Sequence, residues 1–135
     1  MLSPRPLAGF PSPAGDYIED ELDLREYLVA NPVATFFVRL GETESMVDRM
    51  LFPGDVLVVD RSLAHQARDG DIVLADYDGA FLVKTLRLGR GGRVVLQSAN
   101  AARVADFPPI IVNPELRFEV CGLVTGSARR FERGR

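Results

Sequence analysis

Short strand-like segments separated by turn residues occupy most of this chain from residue 35 onward. The clearest are residues 71–77 and 80–88, which flank Asp78-Gly79, a dipeptide that favours the two-residue turn of a β-hairpin. Further segments rich in β-branched and aromatic residues cover 35–40, 56–60, 93–97, 109–112 and 117–124. Many short strands with regular turns and almost no helix predict an all-β domain, built as a barrel or a folded sheet.

The first 16 residues differ from the rest of the chain. Prolines stand at positions 4, 6, 11 and 13, and proline removes backbone donors and disfavours helix in the residue before it. We therefore expect an extended N-terminal arm over residues 1–16. One short helix follows: Asp23 is placed to cap it, Glu26 has the spacing of a capping box, and Asn31-Pro32 ends it.

Length and composition indicate one domain and argue against several classes of protein. The 135 residues, 47% of them hydrophobic, suffice for one core without disulfides or metal. A formal net charge of −3 argues against direct, sequence-specific DNA binding. Cys121 is the only cysteine, and no apolar run reaches membrane-spanning length, so we expect a cytoplasmic protein without a membrane anchor. We expect the domain to cover residues 17–128, followed by a solvated basic tail at 129–135.

Ser45 and Lys84 are the candidate catalytic residues. A serine needs a base to remove its proton, and His65, the only histidine, stands in a polar segment that predicts an exposed loop. Lys84 lies in a strand-like segment where alternation places it on one face with Leu82 and Leu86. If that face is buried, desolvation lowers the lysine pKa and the neutral amine can act as the base. If it is solvated, Lys84 is an ordinary surface charge.

The loop around Ser45 also offers candidate hydrogen-bond donors. The backbone N–H groups of Glu44 and Ser45 are the candidates for an oxyanion hole, since such groups stabilise the oxyanion of an acyl-transfer intermediate. The aspartates are scattered through turns and strand ends without metal-ligand clustering, so we expect neither a metal nor another cofactor. Taken separately, Ser45 and Lys84 also have ordinary structural explanations, because loop serines usually stabilise turns and strand lysines are usually exposed.

Several linked motifs resemble those of one known family. They occur in family order: Phe10-Pro11-Ser12-Pro13-Ala14, Asp16-Tyr17-Ile18-Glu19, Phe37-Val38, Ser45-Met46-Val47-Asp48, Gly54-Asp55-Val56-Leu57-Val58-Val59-Asp60, Gly70-Asp71-Ile72-Val73 and Phe81-Leu82-Val83-Lys84. Together they are similar to the UmuD branch of the LexA-like self-cleaving serine peptidases. The resemblance implies a small curled sheet or partly open β-barrel, with Ser45 as nucleophile, Lys84 as general base and self-cleavage between Ala8 and Gly9.

The resemblance also implies a cellular role. Cleavage would be stimulated by RecA filaments on single-stranded DNA. The processed form would be a homodimer that serves as accessory subunit of an error-prone, Y-family translesion polymerase, the UmuC-like partner. With eight residues before the bond there is no room for a DNA-binding domain, so we do not expect a repressor.

The nucleophile loop departs from the family pattern. Where the family commonly reads Gly-Asp-Ser-Met, this chain reads Thr43-Glu44-Ser45-Met46, with the glycine displaced to Gly41. A second hypothesis is therefore a catalytically inactive member that acts only as a polymerase-binding module. A third, a relative of the signal peptidases, is weaker because a membrane anchor would then be expected.

Overall fold

A seven-stranded antiparallel sheet forms the body of the protein, in the order β1-β2-β7-β3-β4-β5-β6. The structure, a computed structural model, describes residues 21–134. The strands are β1 (Thr35–Arg39), β2 (Val56–Asp60), β3 (Ile72–Tyr77), β4 (Ala80–Leu88), β5 (Val94–Gln97), β6 (Ile110–Ile111) and β7 (Phe118–Ala128). The sheet does not close, since β1 and β6 form its two edges. The predicted all-β, partly open architecture is confirmed.

The β3–β4 hairpin turns at the predicted dipeptide. Asp78 and Gly79 have φ values of 52° and 85°, and two positive φ values at the central positions define the tight hairpin turn that suits twisted strands. The Asp76 carboxylate also accepts a hydrogen bond from the Gly79 N–H. The strands pair in register from this turn, which sets Lys84 opposite Val73.

Strand β7 joins the two halves of the sheet, because it pairs with β2 on one side and with β3 on the other. The sequence pattern predicts that this strand ends at Val124, whereas in the structure β7 continues to Ala128. Gly126 and Ser127 have weak strand propensity, and pairing with β2 overrides it. Gly122 lies where β2 approaches most closely: a Cβ there would stand 2.7 Å from a methyl carbon of Val59.

Two clusters of buried apolar side chains cover the two faces of β3. Leu74 belongs to the first cluster, whereas Val73 and Ala75 belong to the second, as alternation along a strand requires. Met46 and Leu57 are fully buried in the first cluster. Met46 directly follows Ser45, so its burial fixes the candidate nucleophile loop to the core.

The short helix forms at the predicted place. Helix α1 covers Leu24–Leu28, and Asp23 Oδ1 accepts hydrogen bonds from the backbone N–H groups of Arg25 and Glu26, as its capping role predicts. It ends at Leu28, before Asn31-Pro32. Short 3₁₀ helices cover Val47–Arg49, Arg61–Gln66, Arg90–Gly92 and Ala101–Arg103.

Several sequence predictions concern the ends of the chain or its polar segments. His65 is exposed, as predicted, although it lies in a 3₁₀ helix and not in an irregular loop. The arm with Ala8 and Gly9 lies outside the described residues, as do residues 17–20 of the predicted domain. Within residues 21–134, no helix combines the length and the apolar character needed to cross a membrane.

Candidate active site

Ser45 lies in the connection between β1 and β2 and is 2% exposed. The loop turns sharply after it, since the Leu51 N–H donates to the Met46 carbonyl and Met50 adopts a left-handed conformation with φ 63°. Because Met46 is buried and the turn that begins at Met46 is closed by a hydrogen bond, the chain directly after Ser45 is held in one position.

Lys84 lies within β4 and is half-buried. Desolvation holds the pKa of its amine below the ordinary value of 10.5. Its Nζ donates a 2.7 Å hydrogen bond to Ser98 Oγ, just beyond the end of β5. The sequence left open whether the face of β4 that carries Lys84 is buried or solvated, and the structure shows that Lys84 is partly buried. Its role as a base stays a prediction.

One cleft of about 420 Å³ contains both candidate residues. Ser45 and Lys84 are 39 positions apart in sequence, and the fold brings them to one cleft that lies between the β1–β2 connection and the start of β4. The remaining lining residues come from the end of β1, the β1–β2 connection, β3 and the start of β4: Val38, Arg39, Leu40, Gly41, Glu42, Thr43, Leu74, Phe81, Leu82 and Val83. The cleft is thus mainly apolar, with Arg39 and Glu42 as its other charged side chains.

One of the two predicted oxyanion donors, the Ser45 N–H, has a hydrogen-bond acceptor in the structure. The backbone N–H of Ser45 donates to Thr43 Oγ1 at 3.2 Å, so the threonine hydroxyl accepts from the group that would stabilise an oxyanion. The carbonyl of Glu44, in the same peptide unit, accepts from the Asn100 side-chain amide at 2.9 Å. Whether Glu44 and Ser45 contribute oxyanion donors stays a prediction.

Sequence reasoning missed a segment that holds this loop, residues 98–103. The Ala99 N–H donates to the Ser45 carbonyl at 2.7 Å, and the Ala99 carbonyl accepts from the Asp48 N–H at 2.8 Å. Asp48 Oδ2 in turn accepts from the Ala101 N–H. The segment follows a strand and carries no periodic pattern, so the available signal was only its polar composition, which reads as a loop.

A buried carboxylate supports the far side of the same loop. Asp55 is fully buried, and its Oδ2 accepts a hydrogen bond from the Phe52 N–H. Arg129 Nε lies 2.9 Å from Asp55 Oδ1 and its guanidinium stands 4.5 Å from the centre of the Phe52 ring. That oxygen has no hydrogen bond among the described residues, so the contact is an ion pair outside hydrogen-bond geometry. Arg129, the first residue of the predicted tail, is therefore anchored to the domain.

Comparison with known proteins identifies the family of this chain. The family described as Peptidase S24-like matches residues 2–125. Protein SamA of Salmonella typhimurium (strain LT2) is 46% identical over 109 residues, which is 80% of this chain and 74% of that protein. Protein MucA of Escherichia coli is 45% identical over 121 residues, covering 89% of this chain and 77% of that protein. Protein ImpA of Escherichia coli is 51% identical over 88 residues, covering 65% and 59% respectively.

The chain belongs to the Peptidase S24-like family. The resemblance to the UmuD-like, self-cleaving serine peptidases that was inferred from its motifs is thereby confirmed.

Proposed function

We propose that this protein is a self-cleaving serine peptidase in which Ser45 attacks the bond between Ala8 and Gly9 and Lys84 is the general base. The observation that carries the proposal is the shared cleft, which is lined by the buried Ser45 and by the half-buried Lys84, whose pKa desolvation lowers. Desolvation favours the neutral amine, and only the neutral amine can accept a proton.

The chemistry follows from these two side chains. The neutral Lys84 amine takes the Ser45 hydroxyl proton while Ser45 Oγ forms a bond to the Ala8 carbonyl carbon. The C–N bond to Gly9 then breaks, and the Lys84 ammonium returns the proton to the departing amine. Water hydrolyses the Ser45 ester by the same proton transfers in reverse, which releases residues 1–8 and restores the serine.

The arm itself suits this role. Ala8 is small and Gly9 has no side chain, so the carbonyl between them can approach a recessed serine closely. Tethering gives the arm a high effective concentration, so even a slow catalyst completes the single turnover required. These features favour an enzyme whose substrate is its own chain.

The proposed cellular role follows the resemblance. Cleavage is stimulated by RecA filaments on single-stranded DNA in the cytoplasm, as part of the SOS response. The processed form dimerises and serves as an accessory subunit of a translesion polymerase of the UmuC-like class. We assign residues 17–128 to the peptidase-like domain and 129–135 to the basic tail, whose first residue, Arg129, is held against the domain by Asp55.

A second candidate is a binding module without catalytic activity. Two observations favour it: the Ser45 N–H is occupied by Thr43 Oγ1, and Lys84 Nζ donates to Ser98. In this alternative the same fold serves only as a polymerase partner, and the arm stays attached.

The experiment that separates the two candidates is intact-mass spectrometry of purified protein over time at alkaline pH. We expect the mass of residues 1–8 to be lost from the wild type and retained in Ser45→Ala. Ser127→Ala, at an exposed position near the end of β7, is the matched control and should be processed like the wild type. A folded wild type that keeps its full mass would support the binding module.

A further inference from the structure

Three consecutive residues connect the candidate nucleophile to the candidate base. Ser98 Oγ accepts from Lys84 Nζ at 2.7 Å, and the Ala99 N–H donates to the Ser45 carbonyl at 2.7 Å. Asn100 Nδ2 donates to the Glu44 carbonyl at 2.9 Å. Each of the three residues therefore holds a different part of the site.

We propose that residues 98–100, which we call the brace, position the two reacting groups against each other, with Ser98 orienting the Lys84 amine and Asn100 orienting the peptide unit before Ser45. The inference rests on the proposed function, because it assigns positioning residues to that reaction. In this proposal neither Ser98 nor Asn100 contacts the substrate, so both are positioning residues and not catalytic residues.

The role of Asn100 follows from peptide geometry. A trans peptide is planar, so its carbonyl and its N–H point in opposite directions. Asn100 fixes the Glu44 carbonyl and thereby aims the Ser45 N–H to the opposite side of the loop, where Thr43 now accepts from it. The Ala99 N–H does the same for the next peptide, since it holds the Ser45 carbonyl and so directs the Met46 N–H.

The burial of Asn100 indicates that its hydrogen bond to Glu44 is part of the packed structure and not a chance surface contact. Asn100 is 7% exposed and Ser45 is 2% exposed, so the hydrogen bond between Asn100 and Glu44 forms at the edge of the core. A buried amide that lost this bond would pay the full desolvation cost of an unpaired polar group. The brace is also anchored beyond residue 100, where Ala101 N–H donates to Asp48 Oδ2 at 2.7 Å.

The role of Ser98 follows from the chemistry of the lysine. A flexible side chain with four methylene groups needs a second contact to hold its nitrogen in one place. Because Ser98 Oγ accepts from Lys84 Nζ, it also favours the charged form and offsets part of the desolvation. Charged side chains lie around this region on the neighbouring elements: Arg39 and Glu42 across the cleft, Asp48 and Arg49 on the Ser45 side, Arg87 on β4, and the ion pair of Glu44 with Arg103. All of them are retained in the variants below.

Self-cleavage measured across alkaline pH tests the two residues separately. In Ser98→Ala the plateau rate at high pH should fall roughly tenfold, because a mispositioned base is a poor one. The midpoint of its pH profile should also move about half a unit to lower pH, because the ammonium loses an acceptor. Ser98→Thr, which keeps the hydroxyl, should restore the wild-type profile. Asn100→Ala should lower the plateau without moving the midpoint, because Lys84 keeps its partner.

Controls separate positioning from loss of the fold. Asn113→Ala, an exposed asparagine after β6, should match the wild type. Circular dichroism and thermal unfolding establish that each variant is folded. A folded Ser98→Ala protein with the wild-type plateau and midpoint would overturn the role of Ser98, and a folded Asn100→Ala protein with the wild-type plateau would overturn that of Asn100.

A second measurement does not depend on cleavage. In the Ser45→Ala background, the Lys84 side-chain carbon resonance can be titrated by NMR with and without Ser98→Ala. The inference requires Ser98→Ala to lower the Lys84 pKa, and an unchanged titration would overturn it. If the wild type does not cleave but this shift is found, the proposed function fails while the contact between Ser98 and Lys84 stands.

Discussion

Replacing Thr43 by valine should accelerate self-cleavage, because the threonine hydroxyl now accepts a hydrogen bond from the Ser45 N–H at 3.2 Å. If that N–H is an oxyanion donor, the substrate oxygen has to displace the hydroxyl before the transition state forms. Valine has nearly the same shape and cannot accept the bond, so the N–H is freed in the resting protein. The variant raises the free energy of the ground state and leaves that of the transition state unchanged.

The expected size follows from the strength of such a bond. A neutral hydrogen bond contributes about 0.5–1.5 kcal/mol net, and the 3.2 Å length at half-buried Thr43 favours the lower half of that range. Since about 1.4 kcal/mol corresponds to a tenfold rate change, Thr43→Val should cleave roughly threefold faster. The same loss should destabilise the fold by a similar free energy.

The assay is the loss of residues 1–8 by intact-mass spectrometry at a fixed alkaline pH, with each rate taken from a full time course. Thr43→Ser is the matched control: it keeps the hydroxyl, and its rate should stay near that of the wild type. Cleavage by Thr43→Val at the wild-type rate or below it would refute the argument that this hydroxyl competes with the substrate oxygen.

Three further predictions concern stability. Gly122→Ala should lower the unfolding free energy by roughly 1–3 kcal/mol in urea titration, because a Cβ would lie 2.9 Å from the Asp60 carbonyl oxygen; an unchanged midpoint would contradict the close approach. Arg129→Ala should lower the unfolding free energy by about 1–2 kcal/mol, since it removes the partly exposed guanidinium that pairs with the buried Asp55 carboxylate, and adding Asp55→Asn should recover part of the loss. In a Ser45→Ala background, the folded protein binds fewer protons at Lys84 than the unfolded chain does between the lowered pKa and 10.5, so stability should rise with pH there. Lys84→Met should lack this pH-dependent rise in stability. If the unfolding free energy changes with pH equally in the two proteins, the lowered pKa of Lys84 would be contradicted.

Much of the fold follows from local signals in the sequence. Asp78-Gly79 specifies the central hairpin because few other residues tolerate positive φ at both turn positions, and β2 is found where its apolar run predicts it, at Val56–Asp60. Strand β7 runs four residues beyond its predicted end at Val124, because cross-strand pairing supports residues of low propensity. Such pairing depends on partners that are remote in sequence.

The candidate site was only partly predictable. Ser45 and Lys84 stand in recognisable motifs, but their shared cleft depends on how the sheet folds. Ser98 and Asn100 carry no local signal, since a serine or asparagine after a strand usually serves a turn. The anchoring of Arg129 by Asp55 was missed for the same reason: a terminal run of arginines predicts a solvated tail, and only the three-dimensional position of the carboxylate shows otherwise.

The central claim is that a neutral Lys84 amine activates Ser45 against the bond between Ala8 and Gly9. The most direct test is the rate at which purified protein, without any partner, loses the mass of residues 1–8 at about pH 7 and at about pH 10, in the wild type and in Lys84→Met. We expect the wild-type rate to rise by up to about tenfold per pH unit until the lysine is neutral, and the variant to stay intact at both pH values. Folded wild-type protein that stays whole at high pH, or cleavage that persists without the lysine, would contradict the claim.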